Sequence, residues 1–103
     1  MTDIMFLQME KSLRAILVIM NNDLVSALDQ AETGDVSETE RYLNEFNSNS
    51  QKLMLIMKSA EAMFDKPQLN DLAKLISPEI ATVTKTKAFI DELVFYRSLN
   101  SLK

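Results

Sequence analysis

Histidine and cysteine are both missing from these 103 residues, and their absence removes the usual general base near neutral pH, the thiolate nucleophile and any disulfide framework. Every Cys/His zinc arrangement goes with them, as does the Glu-x-x-His pair of di-iron helical bundles. Glu38, Glu40 and Glu45 do not have the spacing of a calcium-binding loop, and the lone glycine, Gly34, opens no phosphate-cradling loop. We therefore expect a non-enzymatic protein with no catalytic residues, no metal site and no cofactor.

Turn-forming residues are nearly as scarce, with one glycine and two prolines, Pro67 and Pro78. So few punctuation points suit long helices and not a sheet with many turns, and the expected class is all-α. The longest apolar run, Ala15 to Met20, is six residues, far short of the roughly 20 that span a bilayer. The amino terminus also lacks a basic region followed by an apolar one, so the expectation is a cytoplasmic protein without a cleaved signal. Hydrophobic residues make up 47% of the chain, enough for one cored domain over residues 1–103.

The strongest pattern is a seam in which Val36, Thr39, Leu43, Phe46, Ser50, Leu53, Met57, Ala60 and Phe64 step alternately by three and four. That is the spacing of a helical face against partners, broken in polarity only at Ser50. Before it, Phe6, Met9, Leu13, Ile16, Met20, Leu24, Ala27 and Ala31 mark a face on a first helix, with Thr2 or Asp3 as its cap. The extra residue between Met20 and Ala27, beside Asn21 and Asn22, suggests a bend or polar patch there. Gly34 suits a helix carboxyl end, and Ser37 with Glu40 has capping-box spacing. An antiparallel hairpin over residues 3–33 and 37–65 follows.

Pro67 ends the second helix, and Leu69, Leu72, Ala73, Leu75 and Ile76 predict a short third one near 68–76. Ser77, Pro78 and Glu79 read as a cap, a first-turn proline and a first-turn acid, so a fourth helix is expected near 78–99. Thr82, Thr84 and Thr86 alternate as in a strand, but the helical pattern around them outweighs that signal. The predicted architecture is a long antiparallel hairpin with a short third and longer fourth helix, like a four-helix bundle.

Two apolar runs, Ala15–Met20 and Leu53–Met57, should meet inside the hairpin, yet both are apolar on sides that a single partner helix leaves open. Methionine is abundant, at 7 residues, and all but Met1 fall in the first two predicted helices. Methionine fills gaps in small cores, and it also lines grooves that hold varied apolar segments. Candidate partner-binding residues are Ile19, Met20, Met54, Ile56, Met57 and, on the last helix, Phe95; Ile16 and Leu55 flank them. A last helix packed loosely over the methionines would be displaceable by a partner helix.

Charge is unevenly spread: residues 1–65 hold 5 basic against 11 acidic side chains, and residues 66–103 hold 6 against 4. Asp35, Glu38 and Glu40 form an acidic hairpin tip, read either as a solvated end favoured by the helix dipole or as a dock for a basic partner. The net charge of -4 and the lack of a basic stripe disfavour nucleic acid. In layout, a long helical hairpin followed by shorter amphipathic helices in a small acidic chain resembles bacterial type III secretion and flagellar export chaperones, an outline shared by small helical anti-activators. The resemblance implies a module that binds apolar or helical segments of a protein partner, with no membrane, nucleic acid or small-molecule substrate. The alternative is a structural homodimer whose hairpins cover each other.

Overall fold

At the first turn, Gly34 takes φ +86°, its N–H donates to the Ala31 carbonyl at 3.2 Å, and Asp35 N–H donates to that of Gln30 at 3.0 Å. This crossed pair satisfies the carbonyls at a helix end and needs a residue without a Cβ at the left-handed position. The computed structural model describes residues 4–101, without the side chains of residues 98, 100 and 101. The caps expected at Thr2 and Asp3 lie outside the described residues. Helix α1 spans Ile4–Thr33, α2 spans Val36–Met63 and α3 spans Lys66–Ser101. The all-α reading holds, and no strand passes through Thr82–Thr86.

The cap of α2 is Asp35, whose Oδ1 accepts from the Glu38 N–H at 2.9 Å. Helix two therefore begins one residue before Ser37, and Ser37 is an exposed first-turn residue and not the cap. The second turn is closed by a reciprocal box in which Gln68 N–H donates to Asp65 Oδ1 at 3.0 Å and Asp65 N–H to Gln68 Oε1 at 3.1 Å. Pro67 falls in the first turn of α3, where no N–H is needed. Phe64, between the helices, is buried and meets the Phe6 ring edge-on at 5.7 Å.

The expected four helices are three, because α3 runs unbroken through Pro78. A proline inside a helix removes one hydrogen bond and costs about 3 kcal/mol. Two features absorb that cost. Leu72 and Ile76 before the proline, and Val83 and Ile90 after it, are all buried on one line, and each such side chain contributes about 1.5–3 kcal/mol only if the two halves stay collinear. Next to the proline, Arg14 of α1 donates from Nη2 to the Leu75 carbonyl at 3.0 Å and from Nη1 to Glu79 Oε1 at 3.2 Å. Ser77, expected to cap a new helix, is exposed on an ongoing one.

Two short turns fold the chain into a rod of 61 × 18 × 18 Å, with α1 and α3 parallel and α2 antiparallel to both. Its axis is α1, where Leu13, Leu17, Met20, Leu24, Ala27 and Ala31 are buried. Leu17, and not the half-buried Ile16, continues the inward line. The register shift thus falls one turn earlier than the spacing suggested, because α1 is covered from two sides and uses a broad face. The helix continues unbroken past Asn21 and Asn22. Close by, the buried Asp23 accepts from Asn49 Nδ2 at 2.9 Å, a polar tie between α1 and α2.

Candidate functional site

Helix α1 packs along both α2 and α3, whereas α2 and α3 touch each other at few points. The α2 seam explains why. Thr39, Phe46, Leu53 and Ala60, seven residues apart, are buried against α1. The alternate row of Val36, Leu43, Ser50 and Met57 is half-buried or exposed, turned by part of a helical step toward α3. Helix α3 repeats the arrangement: Ile76, Val83 and Ile90 are buried, and Ile80, Lys87 and Val94, four residues further on, are turned the same way. A groove opens between these two outer rows, on the side of the rod where a bundle would carry a fourth helix.

In mid-groove lies a cavity of about 520 Å³, floored by Leu17 and Met20 of α1 and walled by Ser50 and Met57 of α2 and Ile80, Thr84, Lys87 and Asp91 of α3. Toward the Gly34 turn a second cavity of about 360 Å³ continues it, lined by Val36, Glu40 and Leu43 on one side and Val94 and Arg97 on the other. Helical steps of seven on two antiparallel helices set Met57 level with Ile80, Ser50 with Lys87, and Leu43 with Val94. The groove is thus apolar at both ends with one polar layer between them. Each cavity has room for large apolar side chains.

The polar groups around it are mostly committed. Lys87 Nζ holds both Asp91 oxygens, at 2.7 and 2.9 Å. Arg97 Nη2 donates to the Glu32 carbonyl at 3.0 Å, placing a cation at the negative end of the α1 dipole. At the hairpin tip, Arg41 donates from Nη2 to Glu38 Oε2 at 2.7 Å and lies 3.3 Å from Glu45 Oε1. The hydrogen bond it donates to Glu38 pushes the guanidinium further above its ordinary range, so its charge is permanent. With Asp35 used as a cap and Glu38 paired, Glu40 is the one member of the predicted acidic trio without a hydrogen-bond or ion-pair partner among the described residues.

The residues singled out from sequence divide between two faces. Met20, 3% exposed, is the groove floor and Met57, 40% exposed, its wall. Met54, three residues before Met57 and 58% exposed, stands at the lip. Phe95, exposed and edge-on to Tyr96 at 6.1 Å, lies four residues after Asp91 on the α3 lip. Ile19 and Ile56 belong elsewhere, on the outer α1–α2 flank, Ile19 beside Arg41 and Asn49 and Ile56 beside Met5, Met9 and Met63. The last helix is not a loose lid, since its buried line packs on α1 as part of the core.

Sequence reasoning missed Leu43, Ser50, Ile80, Lys87 and Val94. Two of them stand in the α2 seam, and the available signal was its division into two rows of seven, one for each neighbour. Among the described residues no group of three or more acidic side chains is placed to hold a metal ion, and no helix is long and apolar enough to cross a membrane. Comparison with protein-family models, with curated protein sequences and with solved structures gave no match.

Proposed function

We propose that this chain is a non-enzymatic interaction module whose α2–α3 groove takes an amphipathic helix of a partner protein as the fourth member of its bundle. The observation that carries this reading is the uncovered pair of rows, with Leu43 and Met57 on one wall and Ile80 and Val94 on the other. Apolar rows at heptad spacing beside a preformed floor are what a helix-in-groove complex uses. Methionine on the floor, wall and lip lets the surface adjust to more than one sequence. The layout compared with export chaperones and anti-activators holds only for the hairpin, since one 36-residue helix follows it, so the reading rests on the groove.

A photoreactive residue placed at Met57, with the same substitution at Leu55 as control, tests this in the source cell. Leu55 lies on the outward side of α2 and is 64% exposed. Cross-links from position 57 to a partner segment of heptad spacing support the groove. Cross-links confined to position 55 overturn it.

A second reading, the homodimer, is favoured by a separate observation. Val18, Ile19 and Leu55 remain 55%, 48% and 64% exposed on the outward faces of α1 and α2, apolar side chains that a second copy of the chain would cover. Ile19→Glu should then abolish a dimer seen by sedimentation while leaving the groove intact. A monomeric parent chain at micromolar concentration removes the homodimer.

A further inference from the structure

We infer that the helix taken by this groove carries one hydrogen-bonding residue at the centre of an otherwise apolar seam, and basic residues over the end that lies at the Gly34 turn. The inference rests on the groove reading and specifies the partner's chemistry. Its first ground is the layer order. Met57 with Ile80 and Leu43 with Val94 are apolar layers, and between them Ser50 faces the Lys87–Asp91 pair.

Ser50 is half-buried, and its hydroxyl has no hydrogen-bond partner among the described residues. The Lys87 and Asp91 side chains are 31% and 57% exposed, so water still completes their shells. An all-apolar helix seated here strips that water and returns nothing, which penalises it. An Asn or Gln at the same level can donate to Ser50 Oγ or Asp91 and accept from Lys87 Nζ. A single polar layer of this kind fixes register in helical assemblies.

The second ground is charge. At the turn end the groove is edged by Glu40, free of any partner among the described residues, with the Asp35 carboxylate beside it. The cation there, Arg97, which donates to the Glu32 carbonyl, offsets one of these two carboxylates and leaves the other unmatched. Lys87 in mid-groove is neutralised by Asp91. Carboxylate is therefore the unbalanced charge along the walls, and complementarity selects a helix basic at that end.

Synthetic amphipathic peptides of about three heptads, with Asn or Leu at the centre and Lys or Glu at one end, provide the probes, read by fluorescence anisotropy against the full chain. We expect the Asn-centred, Lys-ended peptide to bind about tenfold more tightly than its Leu-centred or Glu-ended counterpart. Ser50→Leu should reverse the Asn preference. Glu40→Gln should shrink the Lys preference, and Glu92→Gln, the same charge change two and a half turns past Val83 and so on the opposite face of α3, should not. Equal binding of the Asn- and Leu-centred peptides, or of the Lys- and Glu-ended ones, overturns this inference while leaving the groove reading intact. If no peptide binds, or if Met57→Lys leaves binding unchanged, the groove reading itself falls.

Discussion

Arg14 of α1 donates its Nη2 to the carbonyl oxygen of Leu75 in α3 at 3.0 Å, 61 residues away in sequence and one turn before Pro78. The same guanidinium reaches Glu79 just beyond the proline at 3.2 Å and pairs with Glu10 on its own helix at 3.1 Å. One side chain thus clamps both sides of the position where α3 lacks a backbone donor. That contact helps to make a single helix out of two predicted ones.

Arg14→Ala should therefore cost about 1–2 kcal/mol, the low end for charged hydrogen bonds because the side chains are 42% and 31% exposed. Urea denaturation measures it. The loss should be smaller in a Pro78→Ala background, where Lys74 regains its intrahelical donor. Equal losses in both backgrounds would show that Arg14 does not act through the proline.

Asp35→Ala should cost about 1 kcal/mol by removing the acceptor for the Glu38 N–H, and Ser37→Ala should fall within about 0.5 kcal/mol of the parent. Denaturant midpoints at constant slope decide between them. The reverse order would return the cap to Ser37.

Gly34→Ala should destabilise by about 1 kcal/mol, since φ +86° is unfavourable for any residue with a Cβ. Space is not the cause, because the nearest atom to such a Cβ, Arg97 Nη1, is at 3.5 Å. A gain in stability from alanine would contradict the left-handed turn.

Leu53→Ala and Met57→Ala separate the two rows of α2. Leu53 is 9% exposed and faces α1, so its truncation should cost about 2–4 kcal/mol. Met57, on the groove wall, should cost less than about 1 kcal/mol in the free protein. Equal large costs would mean that α2 and α3 close over the groove.

What was legible in the chain followed from local physics. The Gly34 turn, the stop before Pro67 and the helical reading of Thr82–Thr86 depend on neighbours within a few residues. The break expected at Ser77–Pro78–Glu79 was a sound local inference overridden by Arg14 and by burial on both sides, neither visible in that stretch. At Asp35 and Ser37 two capping signals compete at close range, and the glycine turn places Asp35 at the helix start. The methionines pointed toward the groove through Met20, Met54 and Met57. Spacing did not reveal that Ile19 and Ile56 face another flank, because that depends on where α3 lies against α1.

The methionine methyl groups give the most direct measurement of the central claim, since Met20, Met54 and Met57 mark the groove while Met9 and Met63 mark the opposite flank. In a methyl NMR titration with the helical segment recovered by cross-linking from position 57, Met20, Met54 and Met57 should shift and Met9 and Met63 should stay fixed. Shifts confined to Met9 and Met63 would contradict that claim and place the partner on the α1–α2 flank.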